Sequence, residues 1–333
     1  MNSRSKLTTS FLLILVLNPI KCYINISDEC QIFNGTHIKC SCSRNEIFQL
    51  PTNFNYENVT SLTVSSCSTA DLHFSTLTEA NQIEEITVQN ISKELIFELI
   101  LTSKHVKNIK FAGVRHIPLI THDKFINVAK IQSFEIVDTF IDRFEEQFTD
   151  TAVTELIMKN VTINNYSGMQ LAEKGQLLRV VDTQFNRVEM PINFAYFAKV
   201  EIINSVFTVP EPGQMSIEAN DAYIENNIFS NVSMNLVASD NITISNICAD
   251  GKSSLRLSSS KITSFNNKLP TEIVYTFSKR SSSLNEIYLN INNTVCIAGN
   301  CKCQKSSGQD PYMLQFHYVI QSILSALLVF LFL

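Results

Sequence analysis

A short pattern recurs ten times between residues 58 and 269: two apolar residues separated by one residue, followed two positions later by Asn or a substitute for it. Successive third residues are 20 to 25 positions apart. The copies are Leu62-Val64-Ser66, Ile86-Val88-Asn90, Ile109-Phe111-Gly113, Phe134-Ile136-Asp138, Leu156-Met158-Asn160, Leu178-Val180-Asp182, Val200-Ile202-Asn204, Ala222-Ile224-Asn226, Ile242-Ile244-Asn246 and Ile262-Ser264-Asn266. Short strands at this period, with no long helical pattern between them, stack in parallel as the coils of a solenoid. The repeat therefore predicts an all-β solenoid of about ten coils.

The period of two within each copy predicts which side chains are buried. The first two residues should fill the core, and the residues next to them should face outward. We expect the third residue to face the interior as well, in a ladder in which the side-chain amides of successive coils bond to one another. Asp138 and Asp182 would accept from neighbouring amides, whereas Ser66 and Gly113 would interrupt the ladder. Further core residues are expected after the triplets, at Phe140, Phe185, Phe207, Phe229 and Leu269.

The N-terminus has the pattern of a secretory signal peptide. Arg4 and Lys6 precede an apolar run over residues 11–17, and Asn18-Pro19 ends that run. A charged start, a short apolar stretch and a helix breaker are typical of a cleaved leader, and the run is too short to span a bilayer. We predict a signal peptide over residues 1–22.

The C-terminus predicts a membrane tether. Residues 319–333 are mostly apolar and end without Lys or Arg, and residues 309–318 form a polar spacer before them. The small residues Ser306, Ser307 and Gly308 precede the spacer, which is the pattern of a glycosylphosphatidylinositol (GPI) attachment signal over residues 306–333. The alternative is a single membrane-spanning helix. Both predict a location at the extracellular face of the plasma membrane.

Cysteines gather near the two ends of the repeat, where a solenoid needs caps to cover its core. The eight that would remain after leader cleavage are Cys30, Cys40, Cys42, Cys67, Cys248, Cys296, Cys301 and Cys303. Cys-x-Cys spacing in a secreted chain favours disulfides over a zinc site, which typically uses Cys-x-x-Cys or paired His, and the pairing stays open. We predict an N-terminal cap over 23–58, repeats over 59–270 and a C-terminal cap over 271–305, with no metal or cofactor.

Two solenoid families share features with this chain. Cys40-Ser-Cys42, Leu50-Pro51 and residues 59–67 resemble the N-terminal cap and first repeat of extracellular leucine-rich-repeat proteins. Later copies, such as residues 223–229 and 242–246, resemble coils of right-handed parallel β-helices. The resemblance covers roughly residues 30 to 303. Most copies place the Asn one residue earlier than the leucine-rich-repeat pattern does, which favours a straighter, β-helix-like stack.

Nine Asn-x-Ser/Thr sequons become N-glycosylation candidates if the chain is secreted. We expect glycans on the seven asparagines that lie outside the ladder: Asn25, Asn34, Asn58, Asn165, Asn231, Asn241 and Asn292. Asn90 and Asn160 occupy ladder positions, so we expect them to face inward and to stay unmodified.

The sequence carries little that indicates catalysis. Its six His are scattered, and it has no nucleophile-elbow or phosphate-loop motif. The resemblance to β-helix proteins implies one alternative, a polysaccharide lyase or hydrolase that uses Glu201 and Glu225 on adjacent coils. However, acidic residues alternate with Lys110, Lys159 and Arg179 along the outward face, and cross-strand charge pairing explains that alternation equally well.

The outward face of the repeats is the predicted contact surface. Its candidate ligand-contacting residues are Glu135, Lys159, Arg179, Glu201, Tyr223 and Glu225. The formal net charge of −5 argues against a nucleic-acid partner, which would require a basic footprint. We therefore predict a non-catalytic cell-surface glycoprotein that recognises a protein or matrix ligand. The alternatives are the carbohydrate-active enzyme and a structural coat component of the extracellular layer.

Overall fold

The computed structural model describes residues 23–42, 47–73, 80–98, 106–125, 128–145, 148, 150–167, 170–188, 192–276, 288–296 and 303. Residues 1–22 and 306–333, on which the predictions of a leader and an anchor rest, lie outside this part of the chain.

The described residues form an all-β solenoid with one short 3₁₀ helix at His122–Phe125. The strands are β1 (Tyr23–Asn25), β2 (Cys30–Phe33), β3 (His37–Ser41), β4 (Ile47–Gln49), β5 (Ser61–Ser65), β6 (Thr69–His73), β7 (Glu85–Ile91), β8 (Glu94–Glu98), β9 (Asn108–Val114), β10 (Ile117–Ile120), β11 (Lys130–Phe144), β12 (Ala152–Tyr166), β13 (Gly175–Val181), β14 (Gln184–Val188), β15 (Ile192–Phe194), β16 (Phe197–Ile203), β17 (Val206–Glu225), β18 (Ile228–Ser245), β19 (Cys248–Asp250), β20 (Ser254–Ser258), β21 (Lys261–Leu269), β22 (Val274–Thr276) and β23 (Tyr288–Val295).

The ten sequence repeats stack in the predicted register and form one continuous parallel sheet, which we call face 1. Leu62 lies opposite Ile86, and Ile86 lies opposite Ile109. The same column continues coil by coil to Ile262. The register adds one strand at each end, β3 before the first repeat and β23 after the last. The predicted fold class, an all-β solenoid of about ten coils, is confirmed.

The third residue of every repeat is a corner of the coil, and here the predicted inward orientation is wrong. All ten third residues have φ between 49° and 62°, the left-handed region that Asn, Asp and Gly tolerate best. A positive φ breaks the period of two, so the side chain turns outward instead of into the core. Asn160, Asn204 and Asn226 are all exposed. The corner side chains still contact one another at the surface: the Nδ2 of Asn160 donates to Asp138, and that of Asn204 donates to Asp182.

A buried polar ladder exists one residue after the corner. Its members are Thr139, Thr183, Ser205, Asn227 and Asn267, all less than 5% exposed. The backbone N–H of Thr183 donates to the hydroxyl of Ser205, and the N–H of Ser205 donates to the Oδ1 of Asn227 at 2.7 Å. The corner leaves these N–H groups inside the coil, so side chains of the next coil supply the acceptors that burial requires.

Beyond the corner, a second column of parallel strands forms face 2. It consists of β4, β6, β8, β10, β14 and β19 together with the segments of β11, β12, β17, β18, β21 and β23 that adjoin the corner. Phe185, Phe207 and Phe229 stack along its inner side, with ring centroids 4.4 and 5.2 Å apart. Phe140 is the exception among the predicted core residues. It lies on the outer side of face 2 beside His116, and its neighbour Ile141 is buried in its place.

The C-terminal coils add a third parallel sheet, face 3. It consists of β15, the middle segments of β17 and β18, then β20 and β22. In these coils the chain therefore has three strand-forming sides. On the third side of the earlier coils the described residues contain the 3₁₀ helix and one isolated bridge, between Phe148 and Leu171.

Disulfides reinforce both ends of the stack. An antiparallel hairpin of β2 and β3, extended by β1, lies before the first coil, and Cys30–Cys40 joins its two strands. Cys42–Cys67 connects the hairpin to the next coil, and Cys248–Cys303 ties the C-terminal segment to β19. Cys296 is disulfide-bonded as well, and Cys301 lies outside the described residues. These bonds indicate an oxidising, extracellular-type environment.

Candidate contact surface

Face 1 presents its outward side chains in regular columns. The residues between the two core positions of each repeat form one such column: Lys110, Glu135, Ile157, Arg179, Glu201 and Tyr223 follow one another on successive strands, and a second column lies two residues later. A third column runs beside them, two residues before the first, and it includes Lys199 and Asp221. The sequence interpretation missed this column, although the same period of two extended by one step would have revealed it.

We define the central surface as the outward residues of face 1 on the five strand segments between residues 133 and 225. They are Ser133, Glu135, Val137, Glu155, Ile157, Lys159, Leu177, Arg179, Val181, Lys199, Glu201, Ile203, Asp221, Tyr223 and Glu225. All six predicted ligand-contacting residues belong to this set, so the fold brings them together on one flat face.

An ion cluster centred on Glu201 occupies the middle of the central surface. The Nε of Arg179 donates to one carboxylate oxygen of Glu201 at 2.5 Å, and the Nζ of Lys199 donates to the other at 2.6 Å. The same ammonium lies 5.2 Å from the ring centroid of Tyr223, within cation–π range. The four side chains therefore support one another across three adjacent strands.

The cluster keeps Glu201 ionised. Burial alone would raise the pKa of this carboxyl, but the hydrogen bonds and charges of Arg179 and Lys199 outweigh that effect and hold the pKa below its ordinary value of 4.5. In turn, the hydrogen bond to Glu201 raises the pKa of Arg179 and of Lys199. A carboxylate in this state fits the charge-pairing interpretation better than the role of a proton-donating acid, which needs a raised pKa.

Apolar side chains distinguish the central surface from the rest of face 1. Tyr223 is 37% exposed, and Val181 and Ile203 lie opposite each other, half-exposed, on β13 and β16. Val137, Ile157 and Leu177 are also half-exposed. The coils on either side present mainly polar groups in the same columns, namely Thr63, Ser65, Thr87, Gln89, Lys110, Thr243 and Thr263, with Ala112 and the half-exposed Phe265 as the apolar exceptions. The centre of the face is therefore both more apolar and more charged than its ends.

Glu201 and Glu225 lie on neighbouring strands of this surface but not opposite each other. Tyr223 is the direct partner of Glu201, and Glu225 is the partner of Ile203. Glu225 is exposed, whereas the side chain of Glu201 is 12% exposed beneath its two cations. The arrangement gives the two carboxylates different surroundings and places the aromatic ring beside the ion cluster.

The sequon asparagines all have access to solvent. Asn25, Asn34, Asn58, Asn90, Asn160 and Asn292 are exposed, and Asn165, Asn231 and Asn241 are half-exposed. The inward orientation that we expected for Asn90 and Asn160 is wrong because both are corner residues with positive φ. Asn241 faces outward as expected, and its Nδ2 donates to Asp221 at 2.7 Å. No asparagine of a sequon belongs to the central surface.

Other features of the described residues do not form a site. Within the described ranges, no group of three or more His, Cys, Asp and Glu side chains is placed to hold a metal ion. An internal void near the C-terminal end is lined mainly by apolar side chains, among them Phe229, Met234 and Leu255, and belongs to the core. In the part of the chain that the structure covers, no helix has the length and apolar content of a membrane span.

No family model, no curated protein and no solved structure matches the chain.

Proposed function

We propose that this protein is a cell-surface glycoprotein whose central surface recognises a protein or matrix ligand, and that a C-terminal GPI signal anchors it. Its role would be adhesion, signalling or extracellular assembly, without catalysis. The disulfides at both ends support an extracellular location. The cap hairpin and two-faced coils support kinship with leucine-rich-repeat proteins, and the three-faced coils support kinship with parallel β-helices.

The observation that carries the proposal is the concentration of outward apolar residues at the centre of face 1, where six lie on five adjacent strands, against Ala112 and Phe265 on the described strands to either side. Such residues cost solubility and add nothing to the core, whereas a buried interface uses them together with Tyr and Arg. Here Tyr223, Ile203 and Val181 lie beside an ion cluster that holds Lys199 and Arg179 in fixed positions. A preorganised surface of this kind lowers the entropic cost of binding.

A cell-binding measurement tests the contact surface. Soluble protein ending at residue 305 is titrated on cells of the source organism and on their extracellular matrix, and saturable binding is expected. The double variant Tyr223→Ala with Ile203→Ser should bind about tenfold more weakly or worse, as hot-spot truncations do. Val237→Ser is the matched control, since Val237 is an equally exposed apolar residue on face 3. Equal binding by both variants would contradict the proposal.

The enzyme alternative is tested on the same protein. Glu201→Gln and Glu225→Gln are compared with the wild type in a polysaccharide-cleavage assay. The proposed function predicts no turnover by any of the three proteins. Turnover by the wild type that both substitutions abolish would replace the binding role with a catalytic one.

The anchor is tested on intact cells. Phosphatidylinositol-specific phospholipase should release the protein into the medium if residues 306–333 are a GPI signal. Protein that stays on the cells, and that detergent alone extracts, would indicate a membrane-spanning segment instead.

A further inference from the structure

Two corner residues of the solenoid are also sequon asparagines. Asn90 is followed by Ile91 and Ser92, and Asn160 is followed by Val161 and Thr162. We propose that Asn90 and Asn160 are N-glycosylated, so that sugars stand on the corner between face 1 and face 2. The inference rests on the proposed secretory route and adds two modification sites to it.

The corner geometry lets each sequon fold with its sugar outside. Ile91 and Val161, the middle residues, are each 1% exposed and packed in the core. Ser92 is exposed and Thr162 half-exposed, on the same side as the asparagines. Because the left-handed corner turns the asparagine outward just before the buried residue, the amide points to solvent while the chain enters face 2.

The chemistry of attachment is compatible with the contacts of Asn160. In the reaction, Nδ2 bonds to the anomeric carbon of an oligosaccharide carried on a lipid pyrophosphate. The bond from that carbon to the pyrophosphate oxygen breaks, and the lipid pyrophosphate leaves with the electron pair and takes up the proton that Nδ2 loses. The product amide keeps one N–H. That N–H can still donate to the carboxylate of Asp138, which accepts from Nδ2 at 2.6 Å.

The neighbour of Asn90 on the next coil is compatible with a sugar as well. Gly113 is the only glycine among the ten corner residues, and a Cβ placed on it would lie 3.1 Å from the Oδ1 of Asn90. The side-chain carbonyl oxygen of Asn90 therefore faces Gly113, the corner residue of the next coil. The Nδ2, which would carry the sugar, lies on the opposite side of the same planar amide and points away from Gly113.

A sugar on Asn160 would border the central surface, and one on Asn90 would lie on β7, two strands away from it. Asn160 directly follows Lys159, an outward residue of that surface, on β12. The remaining sequons lie on the hairpin and the loop after it, on face 2, at the corner before face 3 and on face 1 beyond β17. Glycans would then surround the proposed contact residues without standing among them.

Glycopeptide mass spectrometry of the full chain, expressed in a eukaryotic secretory host, tests the inference. Ser92→Ala and Thr162→Val destroy one sequon each while keeping the corner asparagine and its conformation. Each variant should lose the mass of one glycan. Asn204 and Asn226 are internal controls, because they share the corner geometry but lack a hydroxyl residue two positions later. Val206→Thr should add one glycan, at Asn204.

The outcomes separate this inference from the proposed function. Occupied Asn90 and Asn160, with the expected losses in the two variants, support it. Bare Asn90 and Asn160 in a protein that carries sugar at other sequons, such as Asn25 and Asn34, would overturn the inference and leave the secretory route intact. A chain without sugar at any sequon would overturn both.

Discussion

The coils in the first half of the solenoid differ from those near its end in both size and lining. Between β7 and β12 the repeat advances by 22 to 25 residues, and two faces of each coil are strands. From β18 to β21 it advances by 20 residues, and all three faces are strands. The longer coils enclose Phe97, Phe111, Phe125, Phe134, Phe144 and Phe148, all buried. Beyond Phe229, every buried hydrophobic residue that the structure describes is aliphatic, alanine or methionine.

The difference indicates that core volume and coil length change together. Close packing leaves no room for voids, so a coil that holds two aromatic rings needs a longer perimeter than one that holds aliphatic side chains. In the shorter coils, Ala238 and Ser259 are buried where face 3 leads into face 1. The third sheet begins at β15, where Phe194 is still buried, and in the last coils its inner side is lined by aliphatic, methionine and alanine side chains.

The largest expected effect is on the aromatic core. Phe134→Ala should lower the free energy of unfolding by about 3–5 kcal/mol, because Phe134 is fully buried and its ring packs on Phe111 and Phe125. Urea unfolding followed by circular dichroism measures the change. Phe134→Leu should cost clearly less, and equal costs would show that ring volume does not support the wide coils.

The buried polar ladder is expected to matter more in the late coils than in the early ones. Asn227→Ala removes the acceptor of the Ser205 N–H and the donor to the Ile202 carbonyl, both at 2.7 Å, and should cost about 2–3 kcal/mol. Thr139→Val, at the equivalent position of an early coil, should cost about 1 kcal/mol, since its bond from the Val114 N–H is long at 3.4 Å and its short bond, at 2.7 Å, only reaches the Val137 carbonyl two residues back in its own strand. Equal losses in urea unfolding would refute this difference between the two regions.

A larger side chain in the core should destabilise the shorter C-terminal coils. Ala238→Leu adds three carbon atoms to a fully buried site and should cost about 1–3 kcal/mol. In the wide section, Met158→Leu preserves volume and should cost less than about 1.5 kcal/mol. Thermal unfolding of both variants tests the comparison. An unchanged melting temperature for Ala238→Leu would mean that the core of the late coils has unfilled volume at this site.

A charge effect is expected at the centre of face 1. The pKa of Glu201 is lower in the folded state than its ordinary value of 4.5. The ion cluster therefore contributes its full stabilisation when the pH is above 4.5. This contribution is lost as the pH falls through the lower pKa of the folded state. The stability difference between the wild type and Glu201→Gln should therefore be present at pH 7 and shrink below about pH 4. A difference that is the same at both pH values would contradict the ion pairing.

The smallest effect is expected at a corner. Ser66 has φ 59°, a conformation that costs a serine more than a glycine. Ser66→Gly should therefore stabilise the first coil by up to about 1 kcal/mol, whereas Asn226→Ala should destabilise a late coil by about 1–2 kcal/mol. Thermal unfolding measures both, and a loss of stability in Ser66→Gly would contradict the assigned conformation.

The sequence predicted the stacking because register depends on a period that can be counted. Leu62, Leu156 and Ile262 lie in one column, as the spacing required. The predicted orientation of the third residue was wrong, because a period of two assumes that the backbone is extended throughout the repeat. The occurrence of Asp138, Gly113 and Asn160 in the same column was the available signal, since these three residue types share a tolerance for positive φ.

The spacing of the repeats could not predict face 3 or the ion cluster around Glu201. A spacing of 20 residues fits either two strands with a loop or three strands, and the choice depends on how closely the walls approach in space. The repeat pattern did not identify Lys199 as a partner of Glu201, because Lys199 lies just before Val200, the first residue of its triplet, and so falls outside the pattern. Its contact with Tyr223 depends on side-chain conformation as well as on register.

A glycan placed on the central surface tests the central claim most directly. Arg179→Asn combined with Val181→Thr creates a sequon in the middle of that surface, and Val237→Thr creates one at Asn235 on face 3. Arg179→Asn alone controls for the broken ion pair without adding sugar. All three variants must be secreted, and mass spectrometry must confirm the sugar in the two that gain a sequon. We expect cell binding to be abolished in the double variant, weakened but measurable in Arg179→Asn alone, and retained in Val237→Thr. Full binding by the double variant would contradict the claim that face 1 contacts the ligand.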